Sequence, residues 1–119
     1  MDRDCFIRKN SEYQKVYKAK KISSCRYITL FTKKNNLNIA RAGFTTTKKI
    51  GNACKRNFVR RRFKAIYRDL YPLIYKGYDY VFVAKKDAVD CDFKDLKKDF
   101  LNVLKRQRKV KNWKIFVCF

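Results

Sequence analysis

The sequence predicts an α+β fold in which one small sheet is packed with helices, in the order α-β-β-α-β-α. Hydrophobic residues make up 46% of the 119 residues and aromatic residues 16%, enough for the core of a single domain spanning residues 1–119. Segments with helical spacing of apolar residues are interspersed with segments rich in β-branched and aromatic residues. The chain contains no internal repeat and no linker rich in Gly, Pro or Ser.

The first half of the chain predicts one helix and two strands. Ser11 and Gln14 form a capping-box pattern, which predicts a helix over about 12–20. Residues 25–34, CRYITLFTKK, alternate in polarity and predict a strand. A turn at Asn35 and Asn36 then leads into a second strand, IARAGFTTTKK, which is predicted to run antiparallel to the first.

The second half predicts a long basic helix, a central strand and a last helix. The basic helix runs from about residue 53 to 70, ends before Pro72 and carries an apolar stripe of Val59, Phe63, Ile66 and Leu70. The strand YDYVFVAKK is largely apolar and is therefore predicted to be central. Asp92 is the predicted N-cap of the last helix. The apolar end, about residues 110–119, predicts either an edge strand or an irregular tail.

The charge of the chain indicates a polyanionic partner. There are 32 Lys and Arg residues against 10 Asp and Glu, a formal net charge of +22. Self-repulsion of this size favours nucleic acid as the partner, with an anionic membrane surface as the second choice. No segment approaches the roughly 18 apolar residues of a membrane span, and the start does not resemble a signal peptide. The protein is therefore expected to be cytoplasmic.

The residue types argue against catalysis or metal binding by the protein itself. The five cysteines are odd in number and scattered, without a C-x-x-C pair, and the chain has no histidine. Free thiols are therefore expected rather than a disulfide framework or a zinc site. Half of the acidic residues cluster near the start of the last helix, where capping explains them: Asp87, Asp90, Asp92, Asp95 and Asp99. We expect no catalytic residue and no metal site.

The segment 48–68, KKIGNACKRNFVRRRFKAIYR, concentrates nine Lys or Arg residues and no acidic residue. A helix face that is only solvated would mix both signs in i, i+4 pairs. Arginine forks and a helix N-terminus both favour phosphate, so the segment predicts binding to an RNA backbone rather than to lipid. The predicted RNA-binding residues are Lys48, Lys49, Lys55, Arg56, Asn57, Phe58, Arg60, Arg61, Lys64 and Arg68.

This segment resembles the bacterial ribonuclease P protein family, in which a KK-x-G-x-A segment leads into an R-N-R-x-K-R helix. The matching residues are Lys48, Lys49, Gly51, Ala53, Arg56, Asn57, Arg60 and Arg61, with Lys64 in place of a frequent arginine. EYQKVYK, GFTTTKK and DYVFVAKK resemble the family's first helix and two of its strands. Two positions depart from the pattern. Phe58 replaces the second arginine of the R-N-R triplet, and Arg62 stands where the family is usually apolar. Phe58 is expected either to stack on a base or to pack beside Arg62.

The resemblance implies a left-handed β-α-β crossover around the basic helix, an exception to the right-handed rule. It also implies the protein subunit of ribonuclease P, the ribonucleoprotein endonuclease that removes the 5′ leader of precursor tRNA to give mature 5′ ends. The implied partners are ribonuclease P RNA and precursor tRNA, with no membrane and no obligate protein partner. The RNA subunit is expected to perform the hydrolysis and to hold the Mg²⁺, with none bound tightly by the protein.

The resemblance further implies a cleft between the sheet and the first helix that holds the single-stranded leader. Its expected residues are Tyr13, Tyr17, Arg26, Phe31, Thr45 and Thr47. Stacking platforms beside cations suit single-stranded RNA, although ordinary helix–sheet packing is the alternative for Tyr13 and Tyr17. Two other classes remain open: a ribosomal protein or general RNA chaperone using the same helix, and a self-sufficient metal nuclease.

Overall fold

The computed structural model describes residues 5–111 and contains one four-stranded sheet and three helices. The α+β class is confirmed, and the order becomes α-β-β-β-α-β-α because the structure adds a short first strand that the sequence did not predict. The elements are α1 (Asn10–Lys18), β1 (Lys21–Ser24), β2 (Ile28–Lys34), β3 (Arg41–Thr45), α2 (Ala53–Leu70), β4 (Tyr78–Ala84) and α3 (Phe93–Arg106). Short 3₁₀ turns lie at Lys48–Ile50, Tyr71–Leu73 and Lys86–Ala88.

The strand order in the sheet is β1-β2-β4-β3. β4 is central, as predicted, and pairs antiparallel with β2 and parallel with β3. β2 and β3 therefore run in opposite directions, as expected, but they do not pair because β4 lies between them. Tyr80, Val81 and Phe82 of β4 are all buried, as expected for an interior strand, which is covered on both faces. The crossover from β3 through α2 to β4 joins parallel neighbours, and its left hand stays an expectation from the resemblance.

The first helix begins at Asn10, two residues before the predicted start, and the predicted capping box is wrong. Lys9 occupies the N-cap position, and no side chain makes a capping hydrogen bond there. The preceding segment is held along the outer edge of β3, where the amide of Ile7 donates to the carbonyl of Ala42 at 2.8 Å. This tertiary contact fixes where the helix begins, so the local signal at Ser11 is not used.

The main core lies between the sheet and helices α2 and α3. α2 has the predicted bounds and buries the whole predicted stripe together with Tyr67. In α3, Phe100 stacks on Phe82 of β4 with ring centroids 4.0 Å apart. A second, smaller cluster lies on the other face of the sheet, where Val16 of α1 packs with Ile7 and Val81. The sheet is therefore covered by α2 and α3 on one face and by α1 on the other.

Asp99 was expected to belong to the acidic group that caps α3, and this was wrong. Asp92 does stand at the N-cap, although its side chain makes no capping hydrogen bond. Asp99 lies two turns further along and is buried, and it accepts hydrogen bonds from the amides of Arg26 at 3.2 Å and Tyr27 at 2.9 Å. Burial raises the pKa of this carboxyl. Its role is to hold the β1–β2 turn against α3.

The end of the described chain returns to the fold. Val110 is buried and forms an isolated antiparallel bridge with Ile74, and the amide of Lys111 donates to the carbonyl of Leu73 at 2.7 Å. The rest of the predicted tail, residues 112–119, lies outside the described residues.

Candidate nucleic-acid interface

The face of α2 that points away from the sheet carries a continuous set of cations. Asn52 caps the helix by accepting a hydrogen bond from the amide of Lys55 at 3.0 Å. No acidic residue occurs in the helix before Asp69. Lys48 and Lys49 are exposed on the 3₁₀ turn just before it. The exposed predicted RNA-binding residues of the helix are Lys55, Asn57, Phe58, Arg60, Arg61, Lys64 and Arg68. We call this surface the basic face, and its uniform sign suits a phosphate backbone.

Arg56 differs from the rest of the predicted set because it is partly buried. Its guanidinium donates to the carbonyl of Gly51 at 2.8 Å. Gly51 adopts a φ of 141°, a backbone conformation that would be strained for a residue with a side chain. Arg56 therefore shapes the loop that presents the two preceding lysines, in addition to carrying charge.

A surface cavity of 420 Å³ opens along the basic face. Phe44 of β3 contributes a half-buried ring, and Lys64 also lies 5.0 Å from the ring of Phe6. Arg60 donates a hydrogen bond to the side-chain oxygen of Asn57, which limits the orientations of that guanidinium. The lining residues are Phe44, Asn57, Arg60, Arg61 and Lys64. Cations around an aromatic surface can receive a phosphate together with its sugar or base.

The two departures from the family pattern lie next to each other. The guanidinium carbon of Arg62 is 5.1 Å from the ring centre of Phe58 and 5.5 Å from that of Phe93. Of the two expectations for Phe58, packing beside Arg62 is therefore what the structure shows. The ring is still 46% exposed, so this packing leaves much of its surface available.

The opposite face of the sheet presents a row of side chains beneath α1. The strand register places Ile22, Phe31, Val81 and Gly43 side by side across the four strands. The ring of Tyr17 meets Phe31 edge to face, with centroids 5.0 Å apart. In the next row, the hydroxyl of Tyr17 lies 2.8 Å from that of Thr45. We call the surface formed by Tyr13, Tyr17, Phe31 and Thr45 the aromatic face.

Tyr13 fits onto the sheet because residue 43 is glycine. A Cβ at that position would lie 2.5 Å from one ring carbon of Tyr13 and 2.6 Å from its hydroxyl. The hydroxyl of Tyr13 donates to the carbonyl of Ile7 at 3.3 Å. The absence of a side chain at Gly43 therefore sets how closely α1 approaches the sheet.

An ion network also fixes α1 on the sheet. Arg41 of β3 makes a bidentate contact with Asp79 of β4, at 2.9 and 2.8 Å, and a salt bridge of 2.7 Å with Glu12 of α1. The hydrogen bond to Asp79 is the largest cause of a raised pKa for Arg41, which keeps it charged. A partly buried bidentate pair of this kind is rigid as well as strong. The rings of α1 are therefore presented in fixed positions.

The two faces approach each other at the edge strand β3. Phe44 lines the cavity of the basic face together with Arg60, and the preceding residue, Gly43, lies against the Tyr13 ring of the aromatic face. Burial is the main cause of the raised pKa of the Tyr13 hydroxyl, and the charge of Arg60 acts in the opposite direction. Neighbouring residues of one strand therefore belong to the two surfaces.

The structure brings together four of the six residues predicted for the leader cleft: Tyr13, Tyr17, Phe31 and Thr45. Arg26 lies on the β1–β2 turn, where its guanidinium is 5.2 Å from the ring of Tyr27 in the main core. Thr47 is exposed beyond the end of β3. Sequence reasoning missed Ile22, which pairs with Phe31 and is 53% exposed, because the four-residue strand β1 gives too short a pattern to recognise.

Side chains that bind metals do not cluster in the described part of the chain. Within residues 5–111, no group of three or more carboxylates or cysteines could hold a metal ion. Cys5, Cys25, Cys54 and Cys91 are free thiols, and Cys118 lies outside the described residues. No helix in this same range is long and apolar enough to cross a membrane.

The family model described as Ribonuclease P matches residues 1–108. The chain belongs to the ribonuclease P protein family. It is 42% identical over 101 residues to the ribonuclease P protein component of Clostridium botulinum (strain Langeland), covering 84% of this chain and 91% of that one. The corresponding protein of Clostridioides difficile (strain 630) is 39% identical over 101 residues, covering 84% and 89%.

Solved ribonuclease P proteins share the fold. The structure from Staphylococcus aureus has a TM-score of 0.82 at 25% identity and covers 90% of this chain and 98% of its own. The structure from Thermotoga maritima has a TM-score of 0.78 at 28% identity, with 84% and 94% covered. The protein is therefore a component of ribonuclease P, an endoribonuclease, and associates with ribonuclease P RNA. The fold is shared with these relatives although Phe58 and Arg62 depart from the family pattern, because neither residue lies on the buried stripe of α2.

Proposed function

We propose that the protein binds the RNA subunit of ribonuclease P through the basic face and the single-stranded 5′ leader of precursor tRNA through the aromatic face. The observation that carries the proposal is the pair of adjoining surfaces with different chemistry. The basic face offers charge without interleaved acids. The aromatic face offers half-buried rings held rigidly on a sheet, and its hydroxyls suit a ligand with both flat and polar parts.

A leader strand matches the aromatic face because its bases are unpaired. Stacking on aromatic rings tolerates any base, as processing of many different precursors requires. Tyr13, Tyr17 and Phe31 also pack around the small cluster of Val16 and Val81, so their buried edges stabilise α1. The two expectations for the tyrosines, packing and binding, are compatible because each ring remains partly exposed.

We further propose that the RNA subunit holds the Mg²⁺ and performs the phosphodiester hydrolysis in the cytoplasm. Residues 5–111 contain no group of three or more Cys, Asp or Glu side chains that could hold a metal ion. The phosphate oxygens of RNA are, by contrast, ligands that Mg²⁺ accepts. The contribution of the protein is then to bind substrate and to screen phosphate charge, which Mg²⁺ would otherwise have to neutralise.

Reconstitution with a bacterial ribonuclease P RNA tests this proposal. We expect the protein to lower the Mg²⁺ concentration at which the RNA cleaves precursor tRNA, and the protein without RNA to leave precursor tRNA intact. A small basic protein of similar net charge serves as the control. Equal stimulation by the control would favour a general RNA chaperone, and cleavage by the protein alone would favour a metal nuclease.

A further inference from the structure

Phe58, Arg62 and Phe93 form a ladder of two rings with a guanidinium between them, at the junction of α2 and α3. The guanidinium carbon lies 5.1 Å from the centre of the Phe58 ring and 5.5 Å from that of Phe93. Its position is fixed, because Arg62 also donates to the carbonyl of Cys91 at 2.8 Å. Both rings are accessible, with Phe58 46% and Phe93 39% exposed.

Holding α3 against α2 does not require the two exposed rings. The buried ring pair of Phe63 and Phe100, with centroids 5.9 Å apart, already connects the two helices, and Arg62 donates to the carbonyl of Cys91 in the segment that precedes α3. Two large apolar rings kept in contact with water on either side of a fixed cation are, by contrast, suited to stacking on a flat ligand.

The charged residues around the ladder indicate which class of ligand it can bind. Lys55 and Arg61 lie three residues to either side of Phe58 on the same helix face, and both are exposed. An apolar protein surface would have to desolvate these cations, whereas RNA presents phosphates to them and bases to the rings. Asp92 and Asp95 are exposed beside Phe93 and repel phosphate. The phosphates of a bound strand therefore lie on the α2 side of the ladder.

We propose that the Phe58–Arg62–Phe93 ladder is a stacking platform for unpaired nucleobases of the RNA subunit, continuous with the basic face. It deepens the proposed function, since it rests on the basic face binding that RNA. In this chain, Phe58 takes the position of the second arginine of the R-N-R triplet, so that a ring replaces a cation there. Arg62, the other departure from the family pattern, orients that ring.

The platform is tested by the affinity of the protein for ribonuclease P RNA. We expect Phe58→Ala and Phe93→Ala each to weaken binding by about 5- to 150-fold, the range that loss of one base–aromatic stack produces. Phe58→Leu retains an apolar side chain without a flat face and should also weaken binding. Circular dichroism and thermal melting establish that each variant is folded.

Tyr75→Ala is the matched control. Tyr75 is 38% exposed and pairs with a cation, Lys111, at 5.3 Å, but it follows the C-terminal end of α2. The end of the helix at Leu70 lies about 18 Å along its axis from Phe58. The control should bind as wild type. Wild-type affinity in Phe58→Ala and Phe93→Ala would overturn the platform. If Arg61→Ala still weakened binding in that case, the proposed function would stand.

Photocrosslinking identifies the occupant. A photoreactive phenylalanine analogue at position 58 or 93 of the assembled ribonucleoprotein should react with nucleotides that chemical probing of the free RNA shows to be unpaired. Reaction confined to base-paired segments, or to an added protein fraction instead of RNA, would overturn the proposal.

Discussion

At the scale of single residues, the packing of Tyr13 in the aromatic face depends on a glycine in β3. Gly43 has no side chain, and the Tyr13 ring occupies the place where one would project. The hydroxyl of Tyr13 binds the Ile7 carbonyl, so the ring cannot move away without losing that contact and part of its packing. One glycine on an interior-facing row therefore sets the distance between α1 and the sheet.

Gly43→Ala is expected to reduce the free energy of unfolding by about 1–3 kcal/mol, the usual cost of overpacking. The added methyl would lie 2.5 Å from the Tyr13 ring, so the ring or α1 must shift. Chemical denaturation measures the change. The double variant Gly43→Ala, Tyr13→Ala supplies the control, because removing the ring makes room for the methyl. If the alanine costs the same with and without the ring, Tyr13 does not constrain this position.

At the scale of elements, the sequence predicted those whose own residues carry a sufficient signal. α2 was predicted with its bounds because 18 residues repeat the helical spacing and a proline follows soon after its end. β4 was predicted as central because its apolar run is long. β1 has four residues, too few to show a period, and the Ile22 position on the aromatic face was missed with it.

Other features could not be predicted because distant residues determine them. The α1 start depends on the pairing of Ile7 with Ala42, which overrides the local capping pattern. β2 and β3 are separated because the chain, after α2, returns to the sheet between them as β4. Asp99 binds the turn at Arg26 and Tyr27, more than 70 positions earlier in the sequence. The Glu12–Arg41–Asp79 network likewise joins three elements, and no spacing along the chain indicates it.

We expect each exposed cation of the basic face to contribute to RNA binding by neutralising a phosphate. Arg61→Ala and Arg68→Ala are each expected to reduce the salt slope of RNA-subunit binding by about one, since each contacted phosphate releases about one counterion. Both side chains are exposed, so the melting temperature should hardly change. The measurement is the affinity as a function of salt concentration.

Lys98→Ala provides the matched control, because this exposed cation lies on α3 instead of α2. Its removal lowers the net charge equally and should leave the slope unchanged. Equal slopes for all three variants would mean that net charge, not the basic face, determines binding. Arg56→Ala should differ from them by also lowering stability, because its guanidinium holds the Gly51 carbonyl.

At the scale of the whole molecule, the sheet separates two surfaces of different chemistry, which approach each other at one edge strand. α2 packs on one face and α1 on the other, so each helix presents its polar or aromatic residues to a different side. The two surfaces approach each other at β3, where Phe44 lines the cavity beside Arg60 and Gly43 lies against Tyr13. In the proposed function, the basic face keeps the protein attached to the RNA subunit while the aromatic face binds a strand that changes with every substrate.

Substrate selectivity should therefore depend on leader length. The protein is expected to tighten holoenzyme binding of precursor tRNA far more than of mature tRNA, which has no leader. This gain should shrink as the leader is shortened to one or two nucleotides, because too few bases then remain to reach the rings. The measurement is a titration of long-leader, short-leader and mature substrates against the RNA subunit alone and against the holoenzyme.

Two variants of one residue separate the contributions within the aromatic face. Tyr17→Ala removes the ring that meets Phe31 and should abolish about 1–3 kcal/mol of the leader-dependent gain, the value of one stacked base. Tyr17→Phe removes only the hydroxyl beside Thr45 and should retain most of that gain. Both should assemble with the RNA subunit as wild type does, because the basic face is intact. Equal tightening of all three substrates by the wild-type protein would instead reduce the subunit's role to charge screening, and the aromatic face would then serve only to pack α1.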